Sequence, residues 1–468
     1  MRERRIELNT CKILMPIGNL GIGLNRQEVE EAMKQKPDAI AVDAGSTDSG
    51  PAYLANGMNK YQKQMIRHDM EICIVAARKA NIPFLMGSCG TCGVDGMVDL
   101  CYELALDIIK EHNLQGKIAR IYASQNAEVL KRKYREGKIH PLEGAPEISE
   151  ATFDQCSNIV ALCGAEPFIE ALKNGANIIL CGRATDTAIM AALPIMQGCD
   201  VASAWHGAKV VECGNLCTDS RKGTGVFLTV DENGFAVTPT HAEAHCTPYT
   251  VSAHLLYENV NPFRLKEPSG LIVTDKCEYT QVDDRTVYVT GTRFEPAEQY
   301  TMKLEGACLC GYQSINLVGM ADPKVMANPQ KWIDNVKMLV DPLIEAAGYK
   351  KGSYTYEFKA YGYNAVIPGP VPEGTPVPRE IGMLLTVTAD TQDEATQISK
   401  IFNPYLLHCP VDMSAQLPSF AFPFSPVDCA RGGTYEFMFH HVVDVDSPLE
   451  LVRIDYTDYK SDNSTGGC

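Results

Sequence analysis

Three neighbouring stretches decide the fold: DAIAVDAG (38–45), QKQMIRHDMEICIVAARKA (62–80) and IPFLMGS (82–88). The first and third are short, apolar and without polar alternation, which is how strands buried on both faces read. Between them apolar residues recur at helical spacing, and a helix of that length suits the crossover between parallel strands. The same grammar extends both ways along the chain. CKILMPIG (11–18) precedes NRQEVEEAMKQK (25–36), and MVDLCYELALDIIKEHN (97–113) precedes KIARIYAS (117–124). AEVLKRKYREGK (127–138) follows, and ANIILCG (176–182) then leads into ATDTAIMAALPIM (184–196). Five such strands with helices between them predict an α/β region with a parallel sheet and flanking helices.

After about residue 225 the pattern changes. FLTVDENGFAVTP (227–239) reads as a hairpin around Glu232–Gly234, and GLIVTDKCEYTQVDDRTVYVTGTRF (270–294) as two further strands turning at Asp283–Asp284. WIDNVKMLVDPLIEAAGY (332–349), SYTYEFKAYGYNAV (353–366), EIGMLLTVTAD (380–390), EATQISKIFNPYLL (394–407) and EFMFHHVVDV (436–445) then mix helical and strand patterns. The expected division is an α/β domain over 1–225, an antiparallel α+β extension over 226–330 and a C-terminal α+β domain over 331–468. PGPVPEGTPVP (368–378) reads as an extended surface loop.

The composition is globular, with 468 residues, 45% of them hydrophobic and 21% charged. Lys and Arg total 42 against 58 Asp and Glu, and the net charge of −16 argues against binding nucleic acid or an anionic membrane surface. The 18 cysteines are dispersed, many of them inside apolar runs such as EICIVAA, and read as reduced thiols rather than a disulfide framework. The start, MRERRIELNTCKILMPIG, lacks the apolar core of a secretory signal, and no apolar run is long enough for a membrane span, so a cytoplasmic location is expected.

Ligands of open parallel sheets bind beyond the carboxyl ends of the strands. GNLG (18–21), DAGSTDSGP (43–51), GSCGTCGVDG (87–96), SQN (124–126) and CGRATDTA (181–188) all fall there and are expected to line one mouth. In the third loop Gly87, Ser88, Gly90 and Gly93 read either as an anion cradle of backbone amides or as a permissive turn. Cys89 and Cys92 form a single C-x-x-C that reads as small loop residues, a redox pair, half a zinc site or one functional thiol. Asp43 ends an apolar strand, where desolvation raises its pKa and suits it to proton transfer. Asp48, with Ser46 and Thr47, binds substrate hydroxyls or caps a turn. Arg183 grips a carboxylate, with Thr185 and Asp186 beside it, or pairs internally with Asp186.

His206, ahead of Lys209 and Glu212, is a candidate acid or base oriented by Glu212 or Asp43, although a lone histidine is more often packed. His241, His245 and His254 include an H-x3-H spacing, but no zincin motif accompanies it and no metal ligand set is assigned. Lys303 and Glu305 in MKLEGA share one face of a strand and either bind substrate or pair with each other. FAFPFSP (420–426) covers a pocket or packs in a core.

VDAGSTDSGPAYL, GSCGTCGVDG, AEPFIEAL, CGRATDTAIMAALP, AWHGAKVVECG, HCTPYTVSAHLLYE, DDRTVYVTG, KLEGA and FAFPFSP together, in that order over about residues 11–445, resemble the acyclic terpene utilization family, AtuA. The resemblance implies an α/β N-terminal part, a ferredoxin-like C-terminal segment, a small partner subunit and a role in catabolism of branched carboxylates. The reaction it implies is a hydratase, lyase or isomerase step on a free acid or acyl-CoA. The expected protein is a homo-oligomeric enzyme that moves protons on such a substrate, with no resident cofactor and CoA entering only as part of the substrate. Asp43 or His206 would act as base, Asp48, Asp186 or Glu212 would orient or donate, and Arg183 would hold the anion. The alternatives are a noncatalytic acid-binding or scaffold subunit, and a metal-dependent lyase using Asp43, Asp48 and a histidine.

Overall fold

The computed structural model describes residues 9–45, 49–220, 222–256, 261–414 and 416–459, so Ser46, Thr47 and Asp48 lie outside the described residues. The chain divides into two compact units, Met1–Cys308 with Phe437–Cys468, and Leu309–Glu436.

In the first unit all five expected strands form: Cys11–Met15, Ala39–Asp43, Phe84–Gly87, Gly116–Tyr122 and Ile178–Cys181. They are parallel, and Ile178–Cys181 inserts between Phe84–Gly87 and Gly116–Tyr122. Ile13, Ala41, Leu85 and Ile179 face one side, in a core with residues of the helices Glu166–Lys173, Asp186–Met196 and Val201–Val211. Leu14, Ile40, Val42, Phe84, Met86 and Leu180 face the other, with Arg26–Met33, Lys63–Ala80 and Asp95–Glu111. Both faces are covered, which is why these strands are uniformly apolar.

The open edge of Cys11–Met15 is taken by Val226–Val230, antiparallel to it, followed outward by Gly234–Pro239, Val287–Thr290 and Glu278–Gln281. The other edge is closed by Arg453–Tyr459, antiparallel to Gly116–Tyr122. The hairpin around Glu232–Gly234 and the turn at Asp283–Asp284 therefore exist and continue the parallel sheet, but 270–294 holds four strands rather than two, because Gly270–Val273 and Arg293–Pro296 pair antiparallel in a separate sheet with Arg264–Glu267. Residue 225 is not a boundary, because hydrogen bonding across the first strand ties 226–239 to the N-terminal elements. Nor is 331–468 one unit, since the chain from Phe437 onward belongs with the first. Thr301–Met320 begins in the first unit, where it pairs with Cys156–Ala161 and His441–Asp444.

In the second unit the remainder of Thr301–Met320 is followed by the short helix Pro323–Ala327, the helix Pro329–Ala346, the strands Tyr354–Tyr361 and Ile381–Ala389, the helix Gln392–His408 and the strand Cys429–Phe437. Its core gathers Trp332, Val336, Met383, Leu385 and Phe402. The buried Trp332 indole N–H donates to the Cys409 carbonyl at 2.8 Å. Of FAFPFSP, Phe420 joins this core and Phe422 packs against it, while Phe424 is exposed. The proline-rich loop 368–378 carries no helix or strand, as expected. Among the described residues, no helix is long and apolar enough to cross a membrane.

Candidate functional site

The strand-end loops converge, joined by hydrogen bonds. The Leu20 amide donates to the Asp43 carbonyl at 2.9 Å, and the Thr91 hydroxyl to the Ala44 carbonyl at 3.1 Å. Asp95 and Ser124 exchange bonds, each amide donating to the other's side chain at 3.0 and 3.1 Å. Arg183 ties the centre together. Its Nε donates to Glu305 Oε2 at 2.9 Å, and one terminal nitrogen donates to the Gly45 carbonyl at 3.1 Å and the Ser88 hydroxyl at 2.9 Å. Asp186 lies farther off, 3.9 Å from that nitrogen.

The Arg183 and Glu305 side chains are only 6% and 5% exposed, so this is a buried ion pair. Burial alone would push Glu305 up, but Arg183 and Lys303 outweigh it and hold the carboxyl below its ordinary range. Burial likewise opposes the charge on Arg183, and Glu305, Asp186 and Asp43 overcome it. Arg183 is therefore the internal knot of three loops rather than an open carboxylate clamp. Asp43 accepts from the Gly45 amide at 2.9 Å, while its Oδ1 is buried with no hydrogen-bond partner among the described residues. Burial first, and Asp186 second, push its pKa well up, as its place at a strand end predicts, against pulls from Arg183, Gly45 and Ser88.

The glycine loop is a turn and not an amide cradle. The amides of Ser88, Cys89, Thr91 and Gly93 donate to the carbonyls of Gly182, Cys181, Ser88 and Cys89. Ser88, Cys89 and Gly93 thus press the loop backbone to backbone on 181–184, while Gly87 and Gly90 lie against the Ile189 and Met97 side chains. The GNLG region does cradle a carboxylate, but an internal one: the amides of Gly21, Gly23 and Leu24 donate to the buried Asp69 at 2.8, 3.1 and 2.7 Å. Gly93 has φ +64°, and a Cβ there would stand 2.3 Å from the Arg183 nitrogen. Gly93→Ala should accordingly cost about 2–4 kcal/mol in chemical denaturation, through left-handed strain plus displacement of Arg183.

Lys303 and Glu305 lie two apart on their strand, as the alternation predicted, and the Lys303 Nζ is 3.4 Å from Glu305 Oε1. Lys303 lines a cavity of about 450 Å³ and a second of about 220 Å³, where Glu305, Phe439 and His440 also contribute. The larger cavity is walled by Leu142, Leu162, Pro268, Leu271, Pro296 and Val442, with Thr185, Lys266, Glu267, Glu295, Thr301 and Lys303 as polar members. Thr185 holds the N-cap position of Asp186–Met196.

Glu267 is the residue that sequence reading missed. The Thr187 hydroxyl donates to its Oε1 at 2.7 Å, and its Oε2 is buried with no hydrogen-bond partner among the described residues. Burial raises its pKa to about 7, against Thr187 and Lys209, which pull it down. KEPSG gives no sign of this, because the carboxyl becomes special only once Arg264–Glu267 lies beside the start of Asp186–Met196.

Other expected residues go elsewhere. His206 is fully buried, its Nδ1 is 2.8 Å from the Thr292 hydroxyl, and burial lowers its pKa to about 3. It is a packed core histidine, with neither Asp43 nor Glu212 orienting it. Glu212 instead bonds Lys209. Burial pushes Glu212 up, Lys209 opposes, and Asp186 adds to the rise. His245 pairs with Asp219 at 3.2 Å and the His241 ring accepts from the Glu243 amide, so the H-x3-H spacing brings no ligands together. Cys89 and Cys92 are buried and burial raises both thiols, which disfavours thiolate redox chemistry and fits small core residues.

The class this defines is an α/β protein whose strand-end loops are knotted by a buried arginine, beside a cavity whose wall carries the buried carboxyl of Glu267. The chain belongs to the acyclic terpene utilisation family, AtuA, which it matches over residues 26–423, and so to the proteins of acyclic terpene utilisation. No curated protein and no solved structure matches it.

Proposed function

We propose that this chain is a proton-transfer enzyme, a hydratase/lyase or isomerase, acting on a small branched carboxylate or its CoA thioester in the 450 Å³ cavity. One observation carries the reading: a buried carboxyl, Glu267, poised near neutrality with one oxygen without a hydrogen bond, on the wall of a pocket that combines a leucine, proline and valine surface with the side chains of Lys266 and Lys303. Its carboxylate removes a proton from carbon and returns it. Lys303, held in place by Glu305, and Lys266 supply positive charge where the enolate develops, and the leucine, proline and valine wall takes the branched hydrocarbon. Arg183 holds Glu305, and through it Lys303, from behind.

The test is deuterium incorporation from D2O into a panel of branched carboxylic acids and their CoA thioesters, followed by NMR. Exchange beside the carboxyl or thioester carbonyl is expected with the full chain alone. A folded chain that exchanges none of them defeats the reading, and turnover restored only by a co-purified small subunit would make this a binding subunit instead.

A further inference from the structure

We propose that Glu212, Cys213 and His254 bind a divalent transition-metal ion of the zinc class. Their ligand atoms, a carboxylate oxygen, a thiol sulfur and an imidazole nitrogen, all lie within 4.8 Å of one another. In a tetrahedral zinc site with bonds of about 2.0–2.3 Å, ligand atoms stand roughly 3.3–3.8 Å apart, so small side-chain rotations close the set. Oxygen, sulfur and nitrogen together suit a borderline-soft ion rather than calcium or magnesium, and three protein ligands leave a fourth position open.

The framework is stiff. Glu212 and Cys213 connect the helix Val201–Val211 to the 3-10 turn Gly214–Cys217, and His254 opens the turn His254–Leu256. At Gly18 the first strand-end loop comes so close to Cys213 that a Cβ would lie 2.7 Å from its carbonyl, which fixes the Cys213 backbone. Glu212 and His254 are buried and Cys213 half-buried, so a bound ion is shielded on most sides. Charge favours a cation. Glu212, Asp186 and Glu267 act electrostatically on one another and share Lys209, one ammonium among three carboxyls. Lys209 bonds one oxygen of Glu212, Oε1.

This site does not depend on the proton-transfer reading, and its test reads binding rather than activity. Metal-free full-length protein is titrated with Co2+, a spectroscopic stand-in for zinc. One equivalent per chain should produce a thiolate-to-cobalt charge-transfer band together with tetrahedral d–d bands, both displaced by Zn2+. Cys213→Ser should abolish the thiolate band, Cys246→Ser, at a buried thiol hydrogen-bonded to Cys217 and outside the ligand set, should leave it, and His254→Gln, with its fold checked by circular dichroism, should weaken Co2+ binding by at least about 100-fold. A wild-type protein that gives no thiolate band at stoichiometric Co2+, or a band that survives Cys213→Ser, overturns the proposal.

Discussion

Glu267→Gln should lower kcat/KM for the branched substrate by about 10²–10⁴-fold, the usual worth of a positioned general base. Glutamine keeps the size and can still accept from Thr187, so the loss reports the proton acceptor and not the packing. The pH profile gives the sign. Burial raises Glu267 to about 7, and Thr187 and Lys209 lower it. Because the deprotonated carboxylate is the base, kcat/KM should rise as pH climbs through about 7 and level off above it. Thr187→Val removes a hydrogen bond that favours the carboxylate, so it should move that limb to higher pH, whereas Glu267→Gln should erase it. A residue that merely shapes the pocket would leave the limb where it is. Glu267→Gln with wild-type rate and an unchanged limb would remove Glu267 from the chemistry.

The sequence was most legible where burial is symmetric. DAIAVDAG and ANIILCG read as strands because both faces are covered, and the hairpin around Glu232–Gly234 announced itself through its turn. The insertion of Ile178–Cys181 between earlier strands was not legible, since order within a sheet depends on long-range pairing. Nor were Cys156–Ala161 and Arg453–Tyr459, whose polar residues suit half-exposed or edge positions rather than a continuous apolar run. At the site, the convergence of loops, the Lys303–Glu305 face and the raised Asp43 were all readable from local chemistry. Arg183 and Glu305 both stand out in the sequence, but not as partners of each other. Glu305 is distant in sequence, and the nearer Asp186 looked the natural mate. His206 misled because an imidazole in an apolar helix looks reactive until burial shows it to be neutral and packed.

Arg183→Met should destabilise the first unit by about 3–5 kcal/mol, roughly 5 °C in Tm, because one half of a buried ion pair is left behind. Three acceptors lose their donor at once: Glu305, the Gly45 carbonyl and the Ser88 hydroxyl. Lys303 still faces Glu305 from 3.4 Å, but it is the more exposed partner, 36% against 5%, and its ammonium is a single charge that cannot replace a fork spanning three loops. Arg183→Lys should therefore recover only part of the loss. The double variant Arg183→Met/Glu305→Leu separates charge from architecture. If the penalty is the stranded carboxylate, it should regain much of the stability lost by Arg183→Met, since a buried pair exchanged for apolar groups is often neutral. If Arg183 matters mainly for holding Gly45 and Ser88, the double variant should be no better than the single one. Urea denaturation of the three variants decides between these, and an Arg183→Met protein as stable as wild type would show that the loops hold together without their central knot.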